Sequence, residues 1–364
     1  MTVAKLKRLA NEDSCVKGIG NFRKFHVDQN EPDPLLAKQS HLGGLNGTSF
    51  LNVFFNPKSG IKNDVVVAII DTGIDLSHPD LKNSLWVNPT ELSGAAGFDD
   101  DKNGFVDDIH GYNFPSHTGN PSHEMVNDHG THVAGLLGAV SGNGEGGMGV
   151  MGRHIRIMAL NVFGKNWNAG IDDVDRAIRY AVDNGAAIIN ISVGGAGAAP
   201  TTAAAIAYAL NRGSIVVVSA GNGSRNITEN FYFLASYSTA YWGMLSVGAI
   251  DSISERLCDF SSYSPVDVEI LAPGCDSSAP KAGLISTISS GRYGYRKGTS
   301  MSAPLVAGAI ALTFGLLRDR SRAPPSPTQV EEIFLKACRK NSQLEAYAVS
   351  GCVLDLNRLA EQLN

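Results

Sequence analysis

From Asp64 onward, short apolar runs alternate with longer stretches whose apolar positions recur every three or four residues. The runs Val65 to Ile70, Ile155 to Val162, Ala186 to Val193, Ile215 to Ser219, Leu245 to Ile250 and Val268 to Ala272 are almost wholly apolar. They predict strands buried on both sides, as parallel strands covered by helices are. Asp172 to Asn184 places Val174, Ile178, Ala181 and Val182 on one face, with Gly185 as a stop, and predicts an amphipathic helix. A second helix is predicted over the alanine-rich Thr201 to Leu210. Ala303 to Leu317 is apolar on nearly every face, so its helix is expected to run through the interior. A polar, proline-rich turn, Arg318 to Ser326, precedes a last expected helix from Pro327 to about Cys338. Strands alternating with helices in this way predict an α/β fold with a mostly parallel central sheet. Residues 1 to about 48 lack the regularity, with Pro32, Pro34, Gly43, Gly44 and Gly47 among scattered charges, and are expected to form a leader or wrapping segment.

Composition narrows the function classes. The chain has 364 residues, 43% of them hydrophobic and 18% charged, with 30 basic against 35 acidic side chains and a net charge of −5. A disordered chain carries more charge and less apolar material, and a nucleic-acid binder is normally basic. The 40 glycines exceed the ordinary share and call for tight turns and close backbone approaches. No apolar run reaches the length of a membrane span, and residues 1–30, with Lys5, Lys7, Arg8 and Glu12, hold no signal-peptide core. Of the five cysteines, Cys15, Cys258, Cys275, Cys338 and Cys352, at least one is unpaired within the chain. Cys258 with Cys275 and Cys338 with Cys352 are close enough in sequence to form disulfides, free buried thiols being the alternative.

Three segments carry chemistry. Asp71-Thr72-Gly73 ends an apolar run and places a carboxylate at the carboxyl edge of the sheet, where open α/β folds assemble ligand sites. Asp128-His129-Gly130-Thr131-His132-Val133-Ala134-Gly135 sets two histidines three apart at a helix start, without the H-E-x-x-H pattern of a zinc site. Gly298-Thr299-Ser300-Met301-Ser302-Ala303-Pro304 puts a serine at the amino end of the interior helix, where free N–H groups favour developing negative charge.

In this order, and with Ser219-Ala220-Gly221-Asn222 between them, these motifs resemble those of the subtilisin-like serine proteases. The resemblance implies a three-layer sandwich around the parallel sheet and an endopeptidase that acylates Ser300, with His129 as base and Asp71 orienting it. His132 is expected to turn inward as a hydrogen-bonded packing residue. Asn222 corresponds to the family's side-chain oxyanion donor, with the Ser300 N–H as its partner. In subtilisin such a donor is worth roughly 2.7 to 4 kcal/mol. Asn222-Gly223-Ser224 also reads as a glycosylation sequon, as do the triplets at Asn46 and Asn226, but a glycan on Asn222 would block the site. Ser192-Val193-Gly194-Gly195 matches the strand-end segment that pairs with an extended substrate.

Asp99 to Asp108 alternates carboxylate and carboxamide groups around Gly104, as the first part of an EF-hand loop does. The candidate calcium ligands are Asp99, Asp101, Asn103, the Phe105 carbonyl and Asp107. His110 stands where a glutamate would close an EF-hand, so Asp108 or a carboxylate distant in sequence must complete the set. A solvated acidic turn is the alternative. The resemblance extends to calcium-binding subtilases, those of apicomplexan parasites among them, and matches Asp80 to a second calcium ligand acting with the loop Ser141 to Gly149.

Two departures stand out: Phe233-Leu234-Ala235-Ser236-Tyr237 replaces the family's Tyr-Pro-Ala wall of the specificity pocket, and Leu305 replaces a common His. Pro32-Asp33-Pro34-Leu35-Leu36 followed by His41-Leu42 resembles a mature amino end, which divides the chain into a leader or propeptide remnant, 1–40, and a catalytic domain, 41–364. A complete inhibitory propeptide does not fit in so short a leader, so further sequence upstream is expected. The family further implies a zymogen, secretion, protein or peptide substrates and a monomer. The rival expectation is an inactive, peptide-binding relative with a misplaced pocket.

Overall fold

A computed structural model describes residues 33–44, 49–58, 60–122, 128–195, 197–321 and 323–364. Residues 1–32 of the expected leader, with Cys15, and the triplet at Asn46 lie outside the described residues. Chain contacts separate Met1–Glu31 from a compact unit, Pro32–Asn364, which alone is treated below.

Among the described residues, the unit is built on eleven strands: β1 (Val65–Asp71), β2 (Gly111–Asn113), β3 (Ile155–Asn161), β4 (Ile188–Ile191), β5 (Ile215–Ser219), β6 (Met244–Asp251), β7 (Ile270–Cys275), β8 (Leu284–Ile288), β9 (Arg292–Arg296), β10 (Arg339–Lys340) and β11 (Cys352–Val353). Nine form one sheet in the order β10-β11-β7-β6-β5-β4-β1-β3-β2, and β8 with β9 forms a separate antiparallel hairpin. Every neighbouring pair in the sheet is parallel except β10 with β11. The six apolar runs supply β1 and β3 to β7. The expected run to Val193 ends at Ile191, because the chain leaves the sheet at Ser192.

Six helices of eight or more residues flank the sheet: α1 (His129–Gly138), α2 (Ile171–Asp183), α3 (Pro200–Asn211), α4 (Thr299–Arg320), α5 (Pro327–Ala337) and α6 (Leu356–Leu363). On one face α2 and α3 pack Ile178 and Ile206 against Ile70, Ile189, Val216 and Val218. On the other, α1, α4, α5 and α6 cover Val67, Ile69, Val217, Leu245 and Val247. Successive strand residues point to opposite faces, so each apolar run feeds both cores and a three-layer sandwich results.

Helix α4 is long and apolar enough to cross a membrane, but 94% of its apolar window is buried inside the domain. It crosses the middle of the sheet, over β4 to β7, as an interior helix. It runs to Arg320, into the segment expected to be a turn. The helix from Pro327 is not the last, since α6 follows it.

Both foreseen cysteine pairs are disulfides. Cys258–Cys275 holds the end of β7, and Cys338–Cys352 ties the end of α5 to β11.

The chain runs from β1 through β2 and β3 on one side, then crosses to β4, β5, β6 and β7 on the other. Parallel β1 is therefore the point where the strand order reverses, and loops diverge from its carboxyl end. Asp71 is its last residue.

Candidate active site

Asp71 is 1% exposed, and its carboxylate accepts two kinds of N–H. Thr72 N–H donates to Oδ1 at 2.7 Å. His129 Nδ1 donates at 2.8 Å to Oδ1 and 3.0 Å to Oδ2. A carboxylate can only accept, so the proton of this bond sits on Nδ1 and leaves Nε2 as the basic nitrogen. His129 opens α1, and Gly130 behind it admits the close approach of β1. A Cβ at Gly130 would overlap the Gly73 carbonyl and come within 3.1 Å of Asp71 Oδ1. The Gly130 N–H donates to Thr72 Oγ1 at 3.0 Å, fixing the start of α1 against the end of β1.

His132 turns inward. It is fully buried, and its Nε2 donates to the Leu284 and Gly294 carbonyls of the β8–β9 hairpin at 3.0 and 3.2 Å. Burial, reinforced by nearby Arg296, lowers its pKa to about 3, so it stays neutral and serves packing.

Ser300 is the second residue of α4 and 7% exposed. Pro304, four residues on, has no N–H to bond the Ser300 carbonyl, a site the helix would otherwise fill. The Ser192 hydroxyl donates to that carbonyl instead, at 3.4 Å. Helix α4 is thus joined to the chain just beyond β4.

Asn222 follows β5 and is aligned through Thr299. Its Oδ1 accepts from Thr299 N at 2.9 Å and from Thr299 Oγ1 at 3.1 Å. The Thr299 hydroxyl in turn accepts from Gly221 N–H at 3.1 Å. With Oδ1 engaged twice, the amide group Nδ2 is left to donate elsewhere. Gly298, at φ 153° and ψ 162°, lies against this amide: a Cβ there would stand 3.4 Å from Asn222 Nδ2, 3.6 Å from its Oδ1 and 3.7 Å from Ser300 N. Such backbone is essentially confined to glycine. The Asn222 amide and the Ser300 backbone nitrogen thus lie near each other around Gly298.

Ser192 and Val193 are buried, and Gly194 is exposed. The Gly194 backbone makes no hydrogen bond among the described residues, while the Gly195 carbonyl accepts from Phe233 N–H at 2.8 Å.

In the acidic loop, the structure gathers Glu91, Asp99 and Asp101, with carboxylate oxygens within 4.8 Å of one another. Glu91, on the short helix Pro89–Ser93, is buried and accepts from Asp100, Asp101 and Asp107 N–H groups. It is a carboxylate distant in sequence that no local motif announced. Asn103 donates to Asp101 and Asp108 and accepts from Phe105 N–H. Asp107 lies apart, with both oxygens on Gly97 N–H. Asp108 is buried on Asn88, Asn103 and Tyr180, and burial raises its pKa. The Phe105 ring packs against Tyr112, Phe114 and Tyr180 and anchors the loop to the sheet. Three carboxylates this close repel one another unless a cation joins them, and their oxygens are the donors calcium takes.

Asp80 is fully buried and accepts from Asn143 Nδ2 at 2.9 Å and Tyr293 hydroxyl at 3.4 Å. Burial, with Asp33 nearby, raises its pKa to about 7. A small cavity lies between Asp80, Gln39, Leu35, Gly147 and Tyr293. Gln39 bonds Met148 through both ends of its amide, and Asp33 accepts from Gly142 and Asn143 N–H. Asp33 and Gln39, unassigned in the sequence, thus brace the same loop.

The family model described as "Subtilase family" matches residues 62–347, and the chain belongs to that family. It is 37% identical over 246 residues to the "Thermophilic serine proteinase" of Bacillus sp. (strain AK1), covering 68% of this chain and 51% of the relative. To the "Major intracellular serine protease" of Bacillus subtilis (strain 168) it is 34% identical over 257 residues, covering 70% of this chain and 69% of the relative. The chain therefore spans about half the length of the first of these. Among solved structures, fervidolysin from Fervidobacterium pennivorans, titled a keratinolytic enzyme related to subtilisin, superposes with a TM-score of 0.68 at 27% identity, covering 90% of this chain and 46% of that one.

Proposed function

We propose that the chain is a serine endopeptidase that hydrolyses internal peptide bonds through an acyl-enzyme on Ser300. The observation that carries this reading is the His129 Nδ1–Asp71 bond at 2.8 Å, which leaves Nε2 basic, on a fold that also sets Ser300 at a helix start. The Ser300 oxygen attacks the carbonyl carbon as His129 Nε2 takes its proton, and Asp71 stabilises the imidazolium. The carbonyl oxygen becomes an oxyanion held by Asn222 Nδ2 and the Ser300 N–H. The C–N bond then breaks, the amine leaves with the proton from His129, and the acyl group stays on Ser300. A water that loses its proton to His129 attacks the ester, releasing the acid and restoring the serine. Ser192 to Gly195 would pair with the extended substrate, Gly194 offering unbonded backbone groups.

Calcium is proposed as a structural ion. Glu91, Asp99 and Asp101, with the Asn103 and Phe105 oxygens, would hold one, and Asp80, Asn143 and Gln39 a second. The ion would neutralise clustered carboxylates and tie loops to the sheet. The two disulfides support folding in an oxidising, secretory compartment. Substrates are proteins or peptides, and an inhibitory propeptide fits the zymogen logic of the family.

A fluorophosphonate probe tests the reading. Peptide mapping is expected to place one adduct on Ser300 and none on the Ser300→Ala protein. No adduct on correctly folded wild-type protein would move the assignment to a peptide-binding module.

A further inference from the structure

Tyr232 belongs to none of the motifs, yet its ring lies against both Gly194 and Gly221. Strands β4 and β5 pair with Ile191 opposite Val218, so continuing the register brings Gly194 beside Gly221, just beyond the carboxyl end of the sheet. The ring of Tyr232 closes the gap between these two glycines. A Cβ at Gly194 would come within 2.7 Å of Tyr232 Cζ and hydroxyl, and one at Gly221 within 2.6 Å of Cζ. The Arg225 guanidinium lies over the same ring, 5.3 Å from its centre.

The ring is held rather than draped. Tyr232 N–H donates to Ser236 Oγ at 2.9 Å, and Ser236 N–H donates back to the Tyr232 carbonyl at 3.0 Å. The Ser236 hydroxyl also bonds the Ile227 carbonyl, and Phe233 N–H bonds Gly195. Leu234, fully buried, takes φ 69° and ψ −61°, an uncommon conformation for a leucine, which the surrounding bonds enforce.

The geometry has a direct consequence for substrate choice. A peptide pairing with Ser192 to Gly194, with its reactive carbonyl oxygen between Asn222 Nδ2 and the Ser300 N–H, directs the side chain of the attacked residue between the Val193–Gly195 and Ala220–Asn222 segments. That is the space beside the Tyr232 ring. We infer that Tyr232 sets the size limit of this pocket and restricts the residue before the cleaved bond to small side chains such as Gly, Ala or Ser. The inference rests on the peptidase reading above and deepens it.

The test is a series of peptides that differ only at that residue, Ala, Leu or Phe, assayed with wild type, Tyr232→Ala and Tyr232→Phe, with fluorophosphonate labelling of Ser300 measured in parallel. In wild type, kcat/KM is expected to fall at least about 100-fold from Ala to Phe, a ratio within reach of steric exclusion. Tyr232→Ala is expected to bring Phe to within about tenfold of Ala. Tyr232→Phe is expected to keep the wild-type order, since shape rather than the hydroxyl excludes the larger residue. A wild type that labels at Ser300 and cleaves after Phe as readily as after Ala overturns the inference and leaves the peptidase reading standing. So does a labelled Tyr232→Ala that keeps the wild-type ranking. Should Tyr232→Ala fail to fold, the wild-type profile and Tyr232→Phe still decide. Absence of both labelling and turnover in wild type overturns the peptidase reading and this inference with it.

Discussion

Thr299 has no reactive role, yet it governs the Asn222 amide. Its N–H and hydroxyl both end on Asn222 Oδ1, and the same hydroxyl accepts from Gly221, so the amide plane is fixed before any substrate arrives. Preorganised donors of this kind act on the charge that develops in the transition state, with little effect on ground-state binding. Asn222→Ala is therefore expected to lower kcat by about 100- to 1,000-fold with KM nearly unchanged. Steady-state kinetics check it, and a loss confined to KM would contradict the assignment. The candidates Asp71, His129, Ser300 and Asn222 stand out in the sequence because each lies within two residues of a glycine in a tight motif. Thr299 was visible only as a neighbour of Ser300, and Tyr232 not at all. Their roles depend on contacts with Asn222, Gly194 and Gly221, which come from other strands and which no periodicity records.

Strands and helices with strong patterns were legible for a plain reason. Residues buried on both faces of β1 and β3 to β7 are mostly apolar, and α2 shows its single apolar face. Among the elements that were missed, two are short or polar. Strand β2 has three residues, and β9 reads Arg-Tyr-Gly-Tyr-Arg, with no fully buried position. The acidic loop shows the same limit at the level of a site. The spacing singles out Asp99 and Asp101, whereas Glu91 joins their cluster from a separate helix, and Asp107 accepts from Gly97 N–H. If a cation bridges Glu91, Asp99 and Asp101, binding to the folded state alone adds stability by mass action. A chelator is expected to lower the melting temperature of the wild type. Glu91→Gln is expected to start lower and respond less, and the double variant Glu91→Gln, Asp80→Asn to respond hardly at all. Identical melting curves with and without chelator, and no bound calcium by mass analysis, would contradict the proposal.

At the scale of the whole molecule, the sheet order explains why residues from distant parts of the chain meet. Reversal of strand order at β1 opens a crevice at its carboxyl end, which receives Asp71 from β1 and His129 from α1. Interior helix α4 then delivers Ser300 from beneath the carboxyl ends of β4 and β5. The segment from Asp33 to Gln39 braces the loop beside Asp80 within the compact unit Pro32–Asn364. This bracing was hard to read because Asp33 and Gln39 act as single hydrogen-bonding side chains in an irregular segment, without a hydrophobic pattern. The nucleophilic catalysis proposed for Ser300 in this crevice can be read from the hydrolysis rate of a peptide ending its acyl side in alanine. It would be measured for wild type and for Ser300→Ala with matching melting temperatures. Wild type is expected to show measurable turnover and the variant a loss of at least about 10,000-fold. Equal turnover by the two proteins would contradict it.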